Sequence, residues 1–600
     1  MAIEAKVIPE AFFEQVSRQK DHLALRYKNF GIWRKVSWLE HGERVKEVAF
    51  GLPSMGTKKE EAVCILGDNR REWLIFHMAV MSVGACTCGI YPTLAPEEIG
   101  YIVNHSGARL IFVENEEQLD KILAILPDLK NIEQIVLWDL KGLWGFSHPR
   151  VIFMEEFIKK GKDLRKQNSA AVDERIASLD TQDTAMIIYT SGTTGRPKGA
   201  LLSHANISSV TQAFLEVIPV SDRGEEVSYL PLAHIYENLV SVFMHVFTGV
   251  VVNFAESMET LAQNLKEISP TIFGSVPRIW EKFASSIEIR MDESTSVKKS
   301  LYRISLKVGK KYILAKSGSS WAPVWRALYF IFYWLVLFHL KRQMGFECIR
   351  WALCSAAAAS RELFGFFNIL GIPLRDGYGQ TESTGIIALQ RLNQEPRYGY
   401  VGEALPGLEM KIAEDGEILA RGPGVFKGYH KNPELTKETL KGGWLHTGDL
   451  GAIDEGHLKI IGREKDIIIT SGGKNITPEY IENKLKFSPY IQDAVVIGDG
   501  RKYLTALILI DEDNVTKYAQ DMRIPFTTFQ DLSQKEEIKK LIDREVREVN
   551  KTLARVETIK RFALIPRRFY AEDGDVTPTQ KVKRRNLQQQ YRDLIKSLYR

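Results

Sequence analysis

A loop rich in glycine and hydroxyl side chains occupies residues 189–200, where the sequence reads YTSGTTGRPKGA. Its glycines let a ligand approach the backbone closely, and its N–H and O–H donors suit polyphosphate oxygens. Lys198 adds a positive charge. The loop differs from a Walker A motif, because Pro197 stands at the second glycine of that motif and Gly199 follows the lysine. A solvated linker would explain SGTTG alone, but the whole segment favours a phosphate-binding loop outside the P-loop kinases and GTPases.

Two carboxylates lie in further glycine-containing strings. DGYGQTES at 376–383 contains Glu382, a hard oxygen ligand of the kind that suits Mg²⁺, which keeps waters and substrate phosphates as its other ligands. WLHTGD at 444–449 ends in Asp449, which can accept hydrogen bonds from two vicinal hydroxyls of a nucleoside. Without the surrounding residues, Glu382 would be interpreted as a surface charge, and Gly448-Asp449 would be interpreted as a simple turn.

A histidine and a lysine are the remaining candidates for chemistry. His234 lies in PLAHIYE, residues 231–237, and a lone histidine in an apolar segment is usually structural. Lys581 lies in TPTQKVKRR, residues 577–585, and a basic tail is common at chain ends. The Thr-Pro-Thr sequence predicts a turn directly before Lys581, which favours a positioned side chain over a solvated tail.

These strings, in this order, resemble the motifs of the adenylate-forming superfamily, which contains acyl-CoA synthetases, firefly-type luciferases and peptide-synthetase adenylation domains. The resemblance extends from about residue 10 to residue 590. Agreement of several separated motifs is much more specific than any one of them. The resemblance implies that ATP, Mg²⁺ and coenzyme A take part, with a carboxylic acid activated as its acyl-adenylate and then passed to a thiol.

The resemblance also implies a nucleotide site. Tyr378 would stack on adenine, Asp449 would bind the ribose hydroxyls, and Glu382 with Thr190 would hold Mg²⁺. The turn CSAAAAS at 354–360 takes the place of the adenine-side turn, although alanines replace its more permissive residues. The implied ATP- and AMP-binding residues are Thr190, Ser191, Gly192, Thr193, Thr194, Gly195, Lys198, Ala356, Ala357, Asp376, Gly377, Tyr378, Gly379, Gln380, Thr381, Asp449 and Arg463.

Catalytic roles and a moving domain follow from the same resemblance. The implied catalytic residues are Lys581, His234, Thr381 and Glu382. Lys581 would act in adenylation, where a cation is needed because negative charge shifts as pyrophosphate leaves. The motif GREKD at 462–466 supplies Lys465 as the hinge, and a rotation there would bring the thiol channel of Gly472, Gly473 and Lys474 to the site.

The elements that must position these residues have an α/β pattern. Apolar runs at 62–66, 108–113, 132–138 and 184–189 alternate with amphipathic stretches, which predicts parallel strands joined by helices. Six hundred residues are more than one hydrophobic core usually supports, which predicts more than one domain. A change of composition near 440–480 predicts the boundary between them. The expected fold is therefore α/β and multidomain, with a large N-terminal AMP-binding domain at 1–464 and a small mobile α+β domain at 465–600.

An insertion interrupts this rhythm at about 287–342. Residues 287–320 are rich in Lys, Arg and Ser, and they lead into the apolar and aromatic segment 321–342. The uninterrupted apolar part, 327–338, is shorter than the ~20 residues needed to cross a bilayer. Two interpretations stay open: a helix lying in a membrane interface, and a buried helix that lines the core.

Composition excludes several classes of protein. The 80 basic and 75 acidic side chains give a net charge of only +5, so no global field would hold nucleic acid. The five cysteines lack metal-ligand or disulfide spacing, and Cys86 and Cys88 are expected to fill a core. The first twelve residues have no apolar signal region. We expect a cytoplasmic protein, with peripheral association on the cytoplasmic membrane face through 321–342.

The substrate is inferred from the resemblance. The insertion and the TPTQKVKRR string look most like long-chain fatty acyl-CoA synthetases, including the bubblegum-type group, which predicts a fatty acid, ATP and coenzyme A as the molecules bound. The alternatives within enzymes are a fatty acyl-AMP ligase or an aryl-acid ligase with a different acceptor. From another class, the alternative is an inactive membrane-associated homologue, against which the joint presence of Lys198, Glu382, Asp449 and Lys581 argues.

Overall fold

The apolar runs of the sequence lie in one eight-stranded sheet of the computed structural model, which describes residues 4–190, 196–315, 321–577 and 581–600. Strand Ala62–Leu66 is buried along its whole length, which requires the continuous apolar sequence AVCIL. Its neighbours pair with it in parallel. In spatial order the strands are Gly428–Tyr429, Lys198–Ser203, Thr184–Thr190, Cys86–Ile90, Ala62–Leu66, Leu110–Val113, Gln134–Leu137 and Val151–Phe153.

Three smaller sheets complete the large domain. A five-stranded sheet contains Ile272–Ser275, Trp351–Cys354, Leu374–Tyr378, Ala388–Leu389 and Glu403–Ala404. A four-stranded sheet contains Glu225–Ser228, Val251–Phe254, Leu23–Asn29 and Ile32–Ser37. An antiparallel sheet contains Glu409–Ile412, Glu417–Arg421, Leu445–Asp454 and His457–Arg463. Cys86 and Cys88 are buried in the first core, which confirms their expected packing role.

Helices cover the sheets and connect the parallel strands. In the first half they are Ile8–Gln19, Trp38–Ser54, Arg71–Ser82, Pro96–Ser106, Glu116–Ile125, Met154–Gln167, Ala171–Ala177, His204–Val217, Ile235–Glu237, the π-helix Asn238–Phe243, Met244–Thr248 and Leu261–Ile268. Later in the large domain they are Pro277–Asp292, Ser296–Ala315, Ala322–Phe332, the π-helix Tyr333–Leu337, Phe338–Gln343, Arg361–Ile369 and Pro433–Thr439. Short 3₁₀ turns are Leu126–Asp128, Thr381–Ser383, Lys441–Gly443 and Glu464–Asp466.

The C-terminal residues form a separate α+β unit with its own core. Its strands are Ile468–Ile469, Asn475–Ile476, Ile491–Ile497, Leu504–Ile510 and Ile559–Leu564. Its helices are Pro478–Lys486, Glu512–Asp521, Phe529–Gln534, Glu536–Asn550, Arg584–Gln590 and Arg592–Ser597. Ile481, Ile508 and Ile542 are fully buried in its core. The expected fold class, a large α/β domain with a small α+β domain, is confirmed; the boundary at 464/465 stays a prediction.

The apolar segment of the insertion forms a continuous helix, Ala322–Gln343, of 22 residues with a mean hydropathy of 1.4. Within the described part of the chain it is the one helix long and apolar enough to cross a membrane. Only 11% of its most apolar window is buried inside the protein. The interpretation of this segment as a buried helix lining the core is therefore wrong, because packing on one side leaves most of the helix exposed.

Candidate active site

The phosphate-binding loop connects two antiparallel strands of the large sheet. Thr190 ends the first strand and pairs with Lys198, which begins the second. The side chain of Lys198 lies with its Nζ 5.6 Å from the ring centroid of Tyr429. The predicted loop residues that fall outside the described parts of the chain are Ser191, Gly192, Thr193, Thr194 and Gly195. The hairpin thus places both described ends of the loop at one edge of the sheet.

Glu382 contacts the hydroxyl of the same tyrosine. It belongs to the 3₁₀ turn Thr381–Ser383, and its Oε1 accepts a hydrogen bond of 2.6 Å from the Tyr429 hydroxyl. Burial and the neighbouring Glu382 raise the pKa of Tyr429, so its hydroxyl stays a donor. Tyr429 lies outside the motifs from which the site residues are predicted. The sequence gives little indication of its role, because it reaches the phosphate-binding loop only through the pairing of the short strand Gly428–Tyr429 with strand Lys198–Ser203.

Gly379 closes the turn before Glu382 by direct backbone packing. A Cβ atom at this position would lie 2.3 Å from the carbonyl oxygen of Gly385 and 2.6 Å from the Cα of Ile386. Real Cβ atoms do not approach backbone so closely, so no other residue fits without moving the turn. Gln380 helps to close it, because its backbone N–H donates to the Ser383 hydroxyl. Thr381 and Glu382 are buried as a result.

Tyr378, Asp449 and Arg463 form one contact group next to this turn. The Tyr378 hydroxyl donates to Oδ2 of Asp449 at 2.7 Å, and Nε of Arg463 lies 3.3 Å from Oδ1. Burial raises the pKa of Asp449, and the charge of Arg463 and the Tyr378 hydrogen bond oppose that shift. The antiparallel pairing of Asp449 with Arg463 on adjacent strands fixes the two charges together. The structure thus joins the residues predicted for adenine and for ribose.

The alanine-rich turn and the strand beside it lie at the end of the five-stranded sheet. Ala356 adopts a left-handed backbone with φ of +71°, a conformation that disfavours an alanine by roughly 1–2 kcal/mol. Ser355 donates from its hydroxyl to the Gly377 carbonyl at 2.8 Å, which fastens the turn to the neighbouring strand. Ala357 is exposed, and Asp376 is buried with a raised pKa because of its burial. The turn therefore forms although alanine, and not glycine, occupies its left-handed position.

His234 caps the short helix Ile235–Glu237 and is held in one tautomer. Its Nδ1 accepts the backbone N–H of Tyr236, so the proton of the neutral ring lies on Nε2. Burial, together with the charge of Lys581, lowers the pKa of His234 to about 4. The ring is therefore neutral at pH 7 and can donate a hydrogen bond from Nε2.

Glu237 fastens the other end of this short helix. Its Oε1 accepts hydrogen bonds from the hydroxyls of Ser228 and Ser241 at 2.6 and 2.7 Å, and from the Tyr229 N–H at 3.2 Å. Burial raises the pKa of Glu237 to about 7. The segment that carries His234 is thus anchored to two neighbouring elements of the large domain.

Lys581 of the small domain lies in the cleft between the domains. Its charge acts on His234 and Asp449, and its own pKa is lowered to about 8 by burial and by the charge of Arg463. The residue is enclosed by both domains and still reaches the solvent of the cleft. Its backbone N–H donates to the Thr577 hydroxyl at 3.1 Å. The C-terminal motif therefore meets the nucleotide motifs of the large domain in this arrangement.

The predicted hinge and thiol-channel loop lie on the surface of the small domain. Lys465 is exposed in the 3₁₀ turn Glu464–Asp466. Gly472, Gly473 and Lys474 lie in an exposed turn that closes with a hydrogen bond of 3.0 Å from the Thr470 N–H to the Lys474 carbonyl. In this arrangement Lys581, and not the 470–475 loop, occupies the neighbourhood of Asp449.

Charged side chains hold the two domains together along helix Pro277–Asp292. Lys486 of the small domain is attracted by Glu281 of that helix and by Asp493, and these charges raise its pKa. Just beyond the helix, Glu293 forms an ion pair with Lys517 of the small domain. The domain arrangement with Lys581 in the cleft is stabilised by these interactions.

Two protein-family models match this chain. The model described as AMP-binding enzyme matches residues 12–430, and the model of the AMP-binding enzyme C-terminal domain matches residues 465–600. The chain belongs to the AMP-binding enzyme family. The resemblance to adenylate-forming proteins that the motifs indicate is thereby confirmed, while the individual roles of the site residues stay predictions.

Relatives of this family match almost the whole chain. The long-chain-fatty-acid–CoA ligase FadD15 of Mycobacterium bovis is 31% identical over 98% of this chain and 96% of its own length. The long-chain-fatty-acid–CoA ligase ACSBG1 of Homo sapiens is 31% identical over 98% of this chain and 84% of its own length. An adenylation domain of carboxylic acid reductase from Segniliparus rugosus, solved with AMP and a co-purified carboxylic acid, has a TM-score of 0.75. At 18% identity, over 99% of this chain and 94% of that one, this last likeness shows the fold alone.

Proposed function

We propose that the protein is an ATP-dependent ligase that converts a long-chain fatty acid and coenzyme A to fatty acyl-CoA, AMP and pyrophosphate. The observation that carries the proposal is that Lys581 of the small domain lies within electrostatic range of Asp449, Arg463 and His234 of the large domain. The long-chain acid as substrate is supported by relatives with that printed activity at 31% identity over nearly the full chain.

The first half-reaction uses the domain arrangement seen here. An oxygen of the acid carboxylate attacks the α-phosphorus of ATP, and the bond from that phosphorus to the pyrophosphate oxygen breaks. Lys581 and Lys198 lower the energy of the shifting negative charge, because both are cations at the phosphate end of the site. His234 donates from Nε2 to the carboxylate and holds it in line with the α-phosphorus.

Mg²⁺ fits this site as a partner of the nucleotide. Among the described residues, no group of three His, Cys, Asp or Glu side chains is arranged to hold a metal ion. Mg²⁺ commonly binds through one or two carboxylates plus substrate phosphates and waters. Glu382, with Thr190 nearby at the loop, would hold the ion, and the bound ion would neutralise phosphate charge.

The second half-reaction requires a different arrangement of the small domain. The thiol of coenzyme A gives up its proton to solvent and attacks the acyl carbon. A carbon–sulfur bond forms, and the bond between the acyl carbon and the phosphate oxygen breaks, so that AMP leaves with that oxygen and its electron pair. Lys581 must withdraw from the approach to the acyl carbon for this step. Rotation about Lys465 would exchange it for Gly472, Gly473 and Lys474 as the wall of the thiol channel.

Thioester formation across saturated acids of two to twenty-four carbons tests the proposed function. We expect coenzyme A thioesters from the long-chain members of the series, together with AMP and pyrophosphate. Accumulation of acyl-AMP without consumption of coenzyme A would favour an acyl-AMP ligase that uses another acceptor. Absence of ATP-dependent pyrophosphate release with every acid, including aryl acids, would favour an inactive homologue.

The protonation of Lys581 predicts the alkaline limit of the first half-reaction. Its pKa of about 8 means that the free enzyme loses this positive charge as the pH rises through 8. Since kcat/KM reports the ionisation of the free enzyme, kcat/KM for ATP should fall about tenfold per pH unit above 8 in pyrophosphate exchange. A Lys581→Arg variant keeps its charge and should be slower but lack this decline. An identical decline in that variant would assign the ionisation to another group.

Peripheral membrane association through 321–342 is part of the proposal, because the apolar helix is exposed on one face. Phe330, Trp334 and Leu335 are 64%, 51% and 56% exposed. Replacing all three, as Phe330→Ser, Trp334→Ser and Leu335→Ser, should weaken binding to phosphatidylcholine vesicles by at least about 30-fold. The matched control replaces Phe30→Ser and Trp144→Ser, which are 89% and 95% exposed elsewhere. Equal binding by both variants would contradict this association.

A further inference from the structure

The helix before the apolar segment carries an excess of positive charge. Ser296–Ala315, called the basic helix below, contains no carboxylate and six cationic residues. These are Lys298, Lys299, Arg303, Lys307, Lys310 and Lys311. Lys299 pairs with Asp292, whereas Arg303, Lys307 and Lys310 form no ion pair within 4 Å in the part of the chain described by the structure. Like charges this close on a helix destabilise it unless an anion compensates them.

Three of these cations share one exposed face. Arg303, Lys307 and Lys310 follow the i, i+4, i+7 spacing, which places them on one side of a helix. The opposite side of the basic helix is buried through Tyr302, Ser305 and Val308. The protein as a whole is close to neutral, at +5 for 600 residues, so this stripe is a local concentration of charge.

The apolar helix, Ala322–Gln343, is fastened to the protein along one side between Tyr329 and Leu337. The Tyr329 hydroxyl donates to the Ile369 carbonyl at 2.9 Å, Tyr333 packs on Gly371, and Leu337 is fully buried. The other face exposes Phe330 and Ile331 by 64% and 57%. Because the helix is held along one side, its exposed apolar face runs parallel to the protein surface. The helix is suited to lie in a bilayer interface, and not to cross the bilayer.

Aromatic contacts join the two helices into one unit. The ring of Tyr312 stacks on the ring of Tyr329, with centroids 4.6 Å apart. Nζ of Lys311 lies 4.5 Å from the ring centroid of Trp325. The basic helix, which carries these cations, is therefore packed directly against the apolar helix. This combination matches the interface of a membrane, where acyl chains lie next to charged headgroups.

We propose that the basic helix and the apolar helix together form a docking surface for an anionic lipid bilayer, with Arg303, Lys307 and Lys310 contacting the lipid phosphates. The occupant is argued from charge complementarity. Three exposed cations without an ion pair in the described ranges, on a helix packed against an exposed apolar helix, fit an anionic headgroup layer. The inference rests on the proposed function insofar as the bilayer is the source of the fatty acid. Beyond the proposed function, the docking surface would make the protein prefer anionic membranes over neutral ones.

Vesicle co-sedimentation with the full-length protein tests this selection. At low ionic strength we expect binding to vesicles of equal parts phosphatidylcholine and phosphatidylglycerol to be about 100-fold tighter than binding to phosphatidylcholine alone, since each of the three cations near the surface contributes about fivefold. The preference should shrink as salt is added, because ions screen the attraction. Equal binding to both vesicles, or binding to neither, would overturn the proposal.

Charge-reversal variants distinguish the effect of the three stripe residues from the effect of the protein's net charge. The variant Arg303→Glu, Lys307→Glu, Lys310→Glu should lose the preference for anionic vesicles while its binding to phosphatidylcholine stays within about threefold. The control Lys540→Glu, Arg555→Glu, Lys560→Glu makes the same change in net charge at exposed positions of the small domain and should keep the preference. Equal loss in both variants would assign the effect to net charge and overturn the proposal.

Folding and activity are measured in parallel with these variants. The neutral variant Arg303→Gln, Lys307→Gln, Lys310→Gln removes the charge without introducing repulsion, and it should also lose the preference with an unchanged melting temperature. Thioester formation from fatty acid dispersed in neutral detergent should stay equal to wild type in all three variants. Absence of thioester formation in the wild type as well would contradict the proposed function and leave the lipid preference standing.

Discussion

Replacement of Lys581 by alanine should lower the rate of adenylate formation by about 100-fold or more, the magnitude typical for loss of a charge-stabilising donor in a transition state. The charge of the side chain interacts with Asp449, Arg463 and His234 across the cleft, and it would stabilise the negative charge of the departing pyrophosphate. Thioester formation from supplied acyl-AMP should change only a few-fold, because Lys581 must leave the site before the thiol enters. The two half-reactions therefore respond differently to one substitution.

Separate assays of the two half-reactions measure this difference. ATP–pyrophosphate exchange reports adenylation, and conversion of synthetic acyl-AMP with coenzyme A reports thioester formation. The matched control is Arg585→Ala, an exposed cation of the same segment that should leave pyrophosphate exchange near the wild-type rate. Equal losses in both half-reactions of the Lys581→Ala variant would refute the division of roles between the two domain arrangements.

Asp449→Ala should reduce kcat/KM for ATP by about 100-fold or more. The carboxylate is buried beside Tyr378 and Arg463, and its substitution removes two charge-assisted hydrogen bonds to the ribose hydroxyls, each contributing about 1.5–3 kcal/mol. It also leaves Arg463 without its carboxylate partner. Initial rates of pyrophosphate exchange at low ATP measure kcat/KM directly.

Deoxynucleotides distinguish a ribose contact from a general loss of structure. The wild type should use 2′-deoxy-ATP at least about tenfold less well than ATP, since one charged hydrogen bond is missing. In Asp449→Ala the two nucleotides should be used equally, because the acceptor of that bond is absent. Persistence of the full discrimination in the variant would show that another group selects the ribose. Tyr378→Phe is the control, since it keeps the ring and the carboxylate and should retain the discrimination.

The strands were predictable because burial on both faces imposes a readable pattern. The AVCIL run at 62–66 became strand Ala62–Leu66 with its ends as expected, and the TAMIIY run extended by one residue to Thr190. The loop of 189–200 was predictable for a related reason, since glycines and hydroxyls in such density serve few structural purposes. Local sequence therefore carried both the fold class and the nucleotide motifs.

Pairings between distant residues were not predictable in the same way. No spacing in the sequence connects Tyr429 with Glu382, because a short strand, Gly428–Tyr429, brings the hydroxyl to the carboxylate. Glu237, in the segment that carries His234, accepts a hydrogen bond from Ser241 one helical turn away, but its bond from Ser228 exists only once the segment packs against strand Glu225–Ser228. Such partners depend on tertiary packing, which single-sequence patterns do not encode.

By itself the sequence determined the α/β architecture, the family and the candidate chemical groups, because periodicity and dense polar strings act locally. The tertiary structure alone decided that Lys581 stands in the cleft and that the apolar helix keeps one face exposed. It also decided that Arg303, Lys307 and Lys310 form no ion pair within 4 Å in the described ranges of the chain. A helix that is apolar on all sides has the same pattern whether it is buried or exposed. Which surface covers it, and which charges remain unpaired, is settled only when distant parts of the chain pack together.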